Sequence, residues 1–210
     1  MDKPGTERKV ELSYLEKSMT YEAYKQLIDD LLAAGKSTGP QQSEALTHYS
    51  QLNVQRMHRI EKTIQILPEV KDRMIAITRP QTWLILSEGW CGDAAHSLPV
   101  MKALADLNPN IQMRILLRDE NPELMDRYLT NGVSRSIPKL IAVDPASGME
   151  LFTWGPRPTA LQEKFYGMRS EGLPFDMIKE ELQRWYNAER TVAIQQELSA
   201  LAGDTSKPQS

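Results

Sequence analysis

The sequence predicts an α/β protein in which one mixed sheet is flanked by helices. Two short apolar segments, 83–86 and 111–117, end at turn residues and are each followed by a predicted helix, as parallel strands are. Two further strands, 140–143 and 151–154, flank an Asp-Pro-Ala-Ser-Gly turn and predict a hairpin. Because the sheet contains both arrangements, it is mixed, and its helices are expected on both faces.

The composition is that of an ordinary soluble globular protein. The 210 residues carry a formal net charge of −3, with 40% hydrophobic and 25% charged residues. This small charge favours neither nucleic acid nor a membrane as partner, and no apolar run is long enough to cross a bilayer. The polar N-terminus lacks the apolar core of a signal peptide, and Cys91, the only cysteine, cannot form an internal disulfide, so we expect a cytoplasmic protein.

No cofactor and no metal are expected. The sequence has no phosphate-binding loop, and His48 and His58 are ten residues apart, whereas helical metal-binding pairs are three or four apart. The sequence leaves the oligomeric state open.

Helical periodicity dominates the first third of the chain. Residues 1–18 are a polar lead-in, and residues 19–79 are predicted as an N-terminal helical extension. Its first helix begins after Thr20, a favourable capping residue. Its second helix, from Ser43 to about Leu67, carries a basic face that is either solvated or an anion site. The three basic residues of this face are Arg56, Arg59 and Lys62.

Residues 80–202 are predicted as the α/β domain with its C-terminal helices. The last of these helices is expected to be long, from about Phe175 to Leu201, and residues 203–210 are predicted to be a disordered tail. Ligands of open α/β sheets collect at the carboxyl ends of the strands. Cys91 follows the first strand and therefore lies at this end.

Four motifs follow one another over about residues 80–165. In chain order they are Trp90-Cys91-Gly92 with Pro99 eight residues beyond the cysteine, Asp119-Glu120-Asn121-Pro122, Ser136-Ile137-Pro138 and Gly155. Together these motifs resemble the thioredoxin superfamily. The run Trp90-Cys91-Gly92-Asp93-Ala94, together with Trp154-Gly155-Pro156-Arg157-Pro158, is similar to a poorly characterised bacterial subfamily. The resemblance implies a thioredoxin-like fold, with a cis bond at Pro138 facing the sulfur.

The resemblance also implies a thiol site built around Cys91 as the catalytic residue. The residues expected to bind the substrate are Trp90, Gly92, Asp93, Ile137, Pro138 and Arg157. A thiol at a helix N-terminus meets unpaired N–H groups and the positive end of the helix dipole, which favour the thiolate. The negative charge of Asp93 disfavours a neighbouring thiolate and so opposes this effect. Asp93 also suits the first turn of a helix. We therefore expect a modestly lowered pKa for Cys91.

Two parts of the thioredoxin machinery are replaced. Ala94 stands where the family has its second, resolving cysteine, and Ile85 stands where it has a buried acid. Ordinary dithiol–disulfide reductase activity is therefore not expected. Glu88 is a candidate proton carrier because its loop can fold back. His96 lies about 140° around the helix from Cys91 and is expected to be exposed.

Arg157 is held between two prolines and has two possible roles. Its guanidinium stabilises a thiolate or a substrate carboxylate, or else it forms a structural ion pair, for example with Asp119.

The first functional hypothesis is a monothiol oxidoreductase. Cys91 would form a mixed disulfide with a protein or a small thiol, and an external thiol would resolve it. The alternative is a non-catalytic protein-binding module in which the added helices dock a partner. A thiol-dependent transferase or peroxidase is a third possibility, for which no distinctive motif is present.

Overall fold

The computed structural model describes residues 8–189 and 191–205. The elements, in chain order, are α1 Leu12–Glu16, α2 Tyr21–Ala33, α3 Glu44–Thr63, α4 Pro68–Ile75, β1 Gln81–Ser87, α5 Gly92–Ala105, β2 Ile111–Leu117, α6 Pro122–Asp126, β3 Lys139–Val143, β4 Glu150–Trp154, α7 Thr159–Ser170, α8 Phe175–Glu189 and α9 Val192–Asp204. The predicted order of strands and helices from β1 to β4 is confirmed.

The four strands form one mixed sheet in the order β2-β1-β3-β4. Strand β1 pairs in parallel with β2 and antiparallel with β3, so that Leu84 lies opposite Arg114 on one side and Ile141 on the other. Every residue of β1 is buried, as expected of a central strand that is covered on both faces. The hairpin of β3 and β4 completes the predicted arrangement.

Helix α5 connects β1 to β2 and lies at the centre of the helical packing. It contacts β2, α3, α4 and α9. Its residues 94–101 are buried without a break, a pattern that no helix with a solvent-exposed face shows. The N-terminal extension thus covers the helix that carries the cysteine motif at its start.

The two long helices of the extension begin where their capping residues indicate. The Thr20 hydroxyl accepts a hydrogen bond from the Ala23 N–H at 3.2 Å and caps α2. Ser43 caps α3 by the same contact with Leu46, also at 3.2 Å. Both side chains satisfy backbone donors that have no partner within the helix.

The C-terminal segment differs from the single long helix that was expected. Helix α8 ends at Glu189 and α9 begins at Val192, and Thr191 between them has a left-handed φ of 73°. The break redirects the chain, because α8 packs against α7 whereas α9 contacts α4, α5 and β4. Helix α9 continues to Asp204, two residues into the predicted tail, and residues 206–210 of that tail lie outside the described part.

None of the described helices combines the length and the apolar character that a membrane-spanning helix needs.

Gly155 allows the turn between β4 and α7 to pack closely against the loop that contains Pro138. Its φ is 108°, and a Cβ at this position would overlap the carbonyl oxygen of Pro138. We expect Gly155→Ala to lower the free energy of unfolding by about 3 kcal/mol, because strain and overlap act together. Urea denaturation measures the change.

Gly167→Ala is the matched control. A Cβ at Gly167, inside α7, would meet no atom within 4 Å. This substitution is expected to stabilise the protein by roughly 0.5–1 kcal/mol through helix propensity. If both variants have the stability of the wild type, the conformation of Gly155 does not constrain the fold.

Candidate thiol site at the start of helix α5

Cys91 is the N-cap residue of α5. Its backbone N–H donates to the Glu88 carbonyl at 3.1 Å, and its own carbonyl accepts from Ala95 at 3.1 Å. Its thiol donates to the carbonyl oxygen of Ile137, with sulfur and oxygen 3.3 Å apart. Only 8% of the residue is exposed. The sulfur is therefore at the predicted place in the fold, but it is buried and already hydrogen-bonded.

The loop that faces the sulfur has the conformation that the resemblance implies. The Ile137–Pro138 peptide bond is cis, and both residues are buried. The Gly155–Pro156 bond is cis as well, which the sequence did not indicate.

Asp93 and Arg157 form a buried ion pair beside the thiol. Asp93 Oδ2 lies 2.7 Å from Arg157 Nη2, and each side chain is 12% exposed. Tyr186 of α8 donates its hydroxyl hydrogen to Asp93 Oδ1 at 2.9 Å. The structural ion pair was one of the two roles predicted for Arg157, but its partner is Asp93. The suggested partner, Asp119, pairs instead with Arg118 at 2.8 Å.

The environment of Cys91 favours the protonated thiol. Burial raises the pKa of the Cys91 thiol to about 12, and the negative charge of Asp93 acts in the same direction. The N–H groups of Ala94 and Asp93 and the charge of Arg157 oppose these effects but are weaker. The predicted lowering of this pKa is therefore wrong, because the prediction weighed the helix terminus without the burial.

Trp90 and Gly92 flank the cysteine and are both partly buried. The guanidinium of Arg118 lies 4.9 Å from the centre of the Trp90 ring, a distance at which a cation is attracted to the ring face. A Cβ on Gly92 would lie 3.6 Å from Arg56 Nη1, so α3 closely approaches the first turn of α5.

Helices α3 and α8 cover this end of α5. From α3, the Asn53 amide donates to the Gly89 carbonyl at 2.9 Å, and Arg56 donates to Asn53 Oδ1 at 2.8 Å. From α8, Tyr186 reaches Asp93. Lys179 of α8 also donates to the Tyr49 hydroxyl of α3 at 2.7 Å, which joins the two covering helices. Sequence reasoning missed these contacts, since no local pattern connects residues so far apart.

His96 is buried, contrary to the exposed position that was expected. Its ring stacks on that of Tyr186 with centroids 4.1 Å apart, and its Nε2 lies 3.2 Å from Gln183 Oε1. Burial lowers the pKa of His96 to about 4, and the nearby charges of Arg56 and Arg59 contribute to the lowering. His96 is thus a neutral packing residue beneath α8.

The carboxylate of Glu88 does not serve the thiol. Glu88 is fully buried, and its Oε1 accepts the backbone N–H of Asp119 at 2.9 Å. Burial raises the pKa of Glu88. The hydrogen bond between Glu88 and Cys91 joins main-chain atoms only. No hydrogen bond between the Glu88 carboxylate and the Cys91 thiol supports the role predicted for Glu88 as proton carrier.

The described residues contain no group of three or more histidine, cysteine or acidic side chains placed to hold a metal ion.

The fold and the position of Cys91 define a thioredoxin-like protein. A family model described as thioredoxin matches residues 39–171, and the chain belongs to that family. The matched segment includes α3, the whole sheet and α7. The narrower bacterial subfamily stays a prediction. No curated protein matches the chain significantly.

Two solved structures are similar over nearly the whole chain. A protein of unknown function from Pseudomonas aeruginosa is 14% identical with a TM-score of 0.59, and 90% of this chain and 93% of that chain are covered. An HIV epitope-scaffold is 18% identical with a TM-score of 0.60, covering 90% and 94% of the respective chains. At these identities the likeness shows the fold alone.

We expect Asp93→Asn to increase the reactivity of Cys91. The substitution removes the negative charge that raises the pKa of the thiol and leaves the positive charge of Arg157 beside it. Each unit by which the pKa falls increases the thiolate fraction tenfold, so alkylation by iodoacetamide at pH 8 should accelerate on the order of tenfold.

Asp106→Asn is the matched control, because Asp106 lies at the other end of α5 and pairs with Lys102 at the surface. Alkylation is measured in buffer without denaturant after circular dichroism has shown that each variant is folded. Equal rates for Asp93→Asn and the wild type would contradict the electrostatic account.

The burial of His96 predicts a pH-dependent stability. The unfolded chain binds a proton at His96 below about pH 6.5, whereas the folded protein does so only below about pH 4. The unfolded state therefore binds more protons than the folded state between these two pH values. As a result, the contribution of His96 to the free energy of unfolding falls as the pH decreases from 6.5 to 4. At about 1.4 kcal/mol per pKa unit, the loss approaches about 3 kcal/mol at pH 4.

His96→Gln isolates this effect, because the glutamine amide takes the place of Nε2 and does not titrate in this range. Urea unfolding at several pH values should show the wild type losing stability relative to this variant between pH 7 and 4. His58→Gln, at an exposed histidine, is the control. A constant difference between the wild type and His96→Gln would refute the prediction.

Proposed function

We propose that this chain is a thioredoxin-fold module that acts by binding a protein partner, with Cys91 as a buried thiol rather than a redox nucleophile. The observation that carries the proposal is the state of the sulfur, which is 8% exposed and hydrogen-bonded to the Ile137 carbonyl. A nucleophilic thiol has to be accessible and ionised. A cytoplasmic location is part of the same proposal.

The ionised fraction of Cys91 at neutral pH supports a protonated thiol. With a pKa of about 12, roughly one thiol in 10⁵ is ionised at pH 7, whereas a few per cent of unperturbed thiols are. Arg157 adds little to the thiolate because Asp93 neutralises it. Ala94 offers no second sulfur, and the fully buried Ile85 offers no acid.

The hairpin of α7 and α8 supplies a surface suited to a partner. Three large apolar side chains are exposed here: Phe175 by 57%, Met177 by 54% and Tyr166 by 41%. Aromatic and methionine side chains are enriched in protein interfaces. A partner with an apolar surface would bury these side chains.

Monothiol exchange is a second candidate, favoured by the position of Cys91 at the start of α5 against the Ile137–Pro138 loop. In that reaction the Cys91 thiolate would attack a disulfide of a protein or small-thiol substrate. A mixed disulfide would form, one substrate sulfur would leave as a thiolate, and an external thiol would regenerate Cys91.

Two measurements separate the candidates. Alkylation of the folded protein is followed from pH 6 to 10, with Cys91→Ser as the blank. The binding module predicts no labelling, or an apparent pKa above 9. An apparent pKa below 8.5 would overturn the proposal in favour of monothiol exchange.

Partner capture from a lysate is compared between variants. Cys91→Ser should retain the same partner as the wild type, and the double variant Phe175→Glu, Met177→Glu should lose it. Ile75→Glu, at a residue of α4 that is 54% exposed, is the control. A partner that is held only when Cys91 is present, and that dithiothreitol releases, would contradict the binding module.

A further inference from the structure

A cavity of about 530 Å³ lies where α3, α5, α8 and α9 meet. Its volume is within the range of pockets that hold small molecules, about 300–1,000 Å³. Helices α8 and α9 lie beyond the segment that matches the thioredoxin family, so this cavity belongs to the added helices as much as to the common fold.

The walls of the cavity are largely apolar. Ile60 of α3, Ile64 directly after that helix, and Val192 and Ile194 of α9 contribute aliphatic surface. Such surface favours the hydrocarbon part of a ligand, because water is displaced from both.

One side of the cavity is positively charged. Arg59 lines it and is exposed, and its Nη2 donates to Asn187 Oδ1 at 3.2 Å. Within residues 8–189 and 191–205, Arg59 forms no ion pair with a carboxylate. The charges of Arg56 and Arg59 both act on His96, which lines the same cavity, so the positive potential reaches the cavity wall.

One carboxylate lies near the α9 side. Glu189 accepts the backbone N–H of Ala193 and so faces the N-terminus of α9, where the helix dipole offsets its charge. Neutral groups line the rest of the polar wall, among them Tyr186, Asn187 and Thr191.

We infer that this cavity binds an apolar carboxylic acid. The hydrocarbon part lies against the isoleucines and Val192, and the carboxylate pairs with the guanidinium of Arg59, whose planar donors match a carboxylate. The basic face of α3 thus serves in part as an anion site. This site involves neither Cys91 nor the exposed side chains of the α7–α8 hairpin, so it stands independently of the proposed function.

Isothermal titration calorimetry of the full chain tests the site. Decanoate is used below its micellar concentration, and decylammonium is the probe with the same chain and the opposite charge. Decanoate should bind measurably and more tightly than decylammonium. Absence of decanoate binding, or equal binding of the two probes, would overturn the inference.

Two matched variants place the ligand. Arg59→Gln should weaken decanoate binding about tenfold, because it removes the charged partner. Lys62→Gln removes the same charge from an exposed position on α3 that does not line the cavity, and should change the affinity less than twofold. If Lys62→Gln weakens binding as much as Arg59→Gln does, decanoate binds the basic surface in general and the inference is wrong.

Discussion

The ion pair between Asp93 and Arg157 joins parts of the chain that are far apart in the sequence. Asp93 lies in the first turn of α5, Arg157 in the turn after β4, and Tyr186 adds a hydrogen bond from α8. Burying two charges costs several kcal/mol, which only close contact and further hydrogen bonds offset. The 2.7 Å separation and the tyrosine meet this requirement, so α5, the sheet and α8 depend on one another at this point.

The same interaction governs the chemistry of the sulfur. Asp93 places a negative charge beside Cys91. Arg157 pairs with Asp93, so its positive charge stabilises that carboxylate rather than a thiolate. The protein thus keeps the thioredoxin fold, and a cysteine at the expected helix start, in surroundings that hold the thiol protonated. Fold and function are separable, because an activity resides in the particular groups that a fold presents.

The helices outside the sheet decide what this scaffold presents to its surroundings. Helices α3 and α8 meet over the start of α5 through Lys179 and Tyr49, and they contribute the contacts that bury the site. The chain also leaves a cavity with apolar walls and one charged side, and a hairpin of α7 and α8 with exposed Tyr166, Phe175 and Met177. The surface around the start of α5 is thus occupied by the chain itself.

Local features of the sequence determined the strands, the capped helices of the extension, the start of α5 at the cysteine motif and the absence of a resolving cysteine at Ala94. These depend on apolar spacing, capping residues and residue identity, which can be read within a few positions of one another. Only the tertiary structure decided that His96 is buried, that Arg157 pairs with Asp93, that the C-terminal segment breaks at Thr191 and that the pKa of Cys91 is raised. Burial and charge pairing arise from contacts such as Tyr186 with Asp93, 93 positions apart, and no local pattern encodes such a contact.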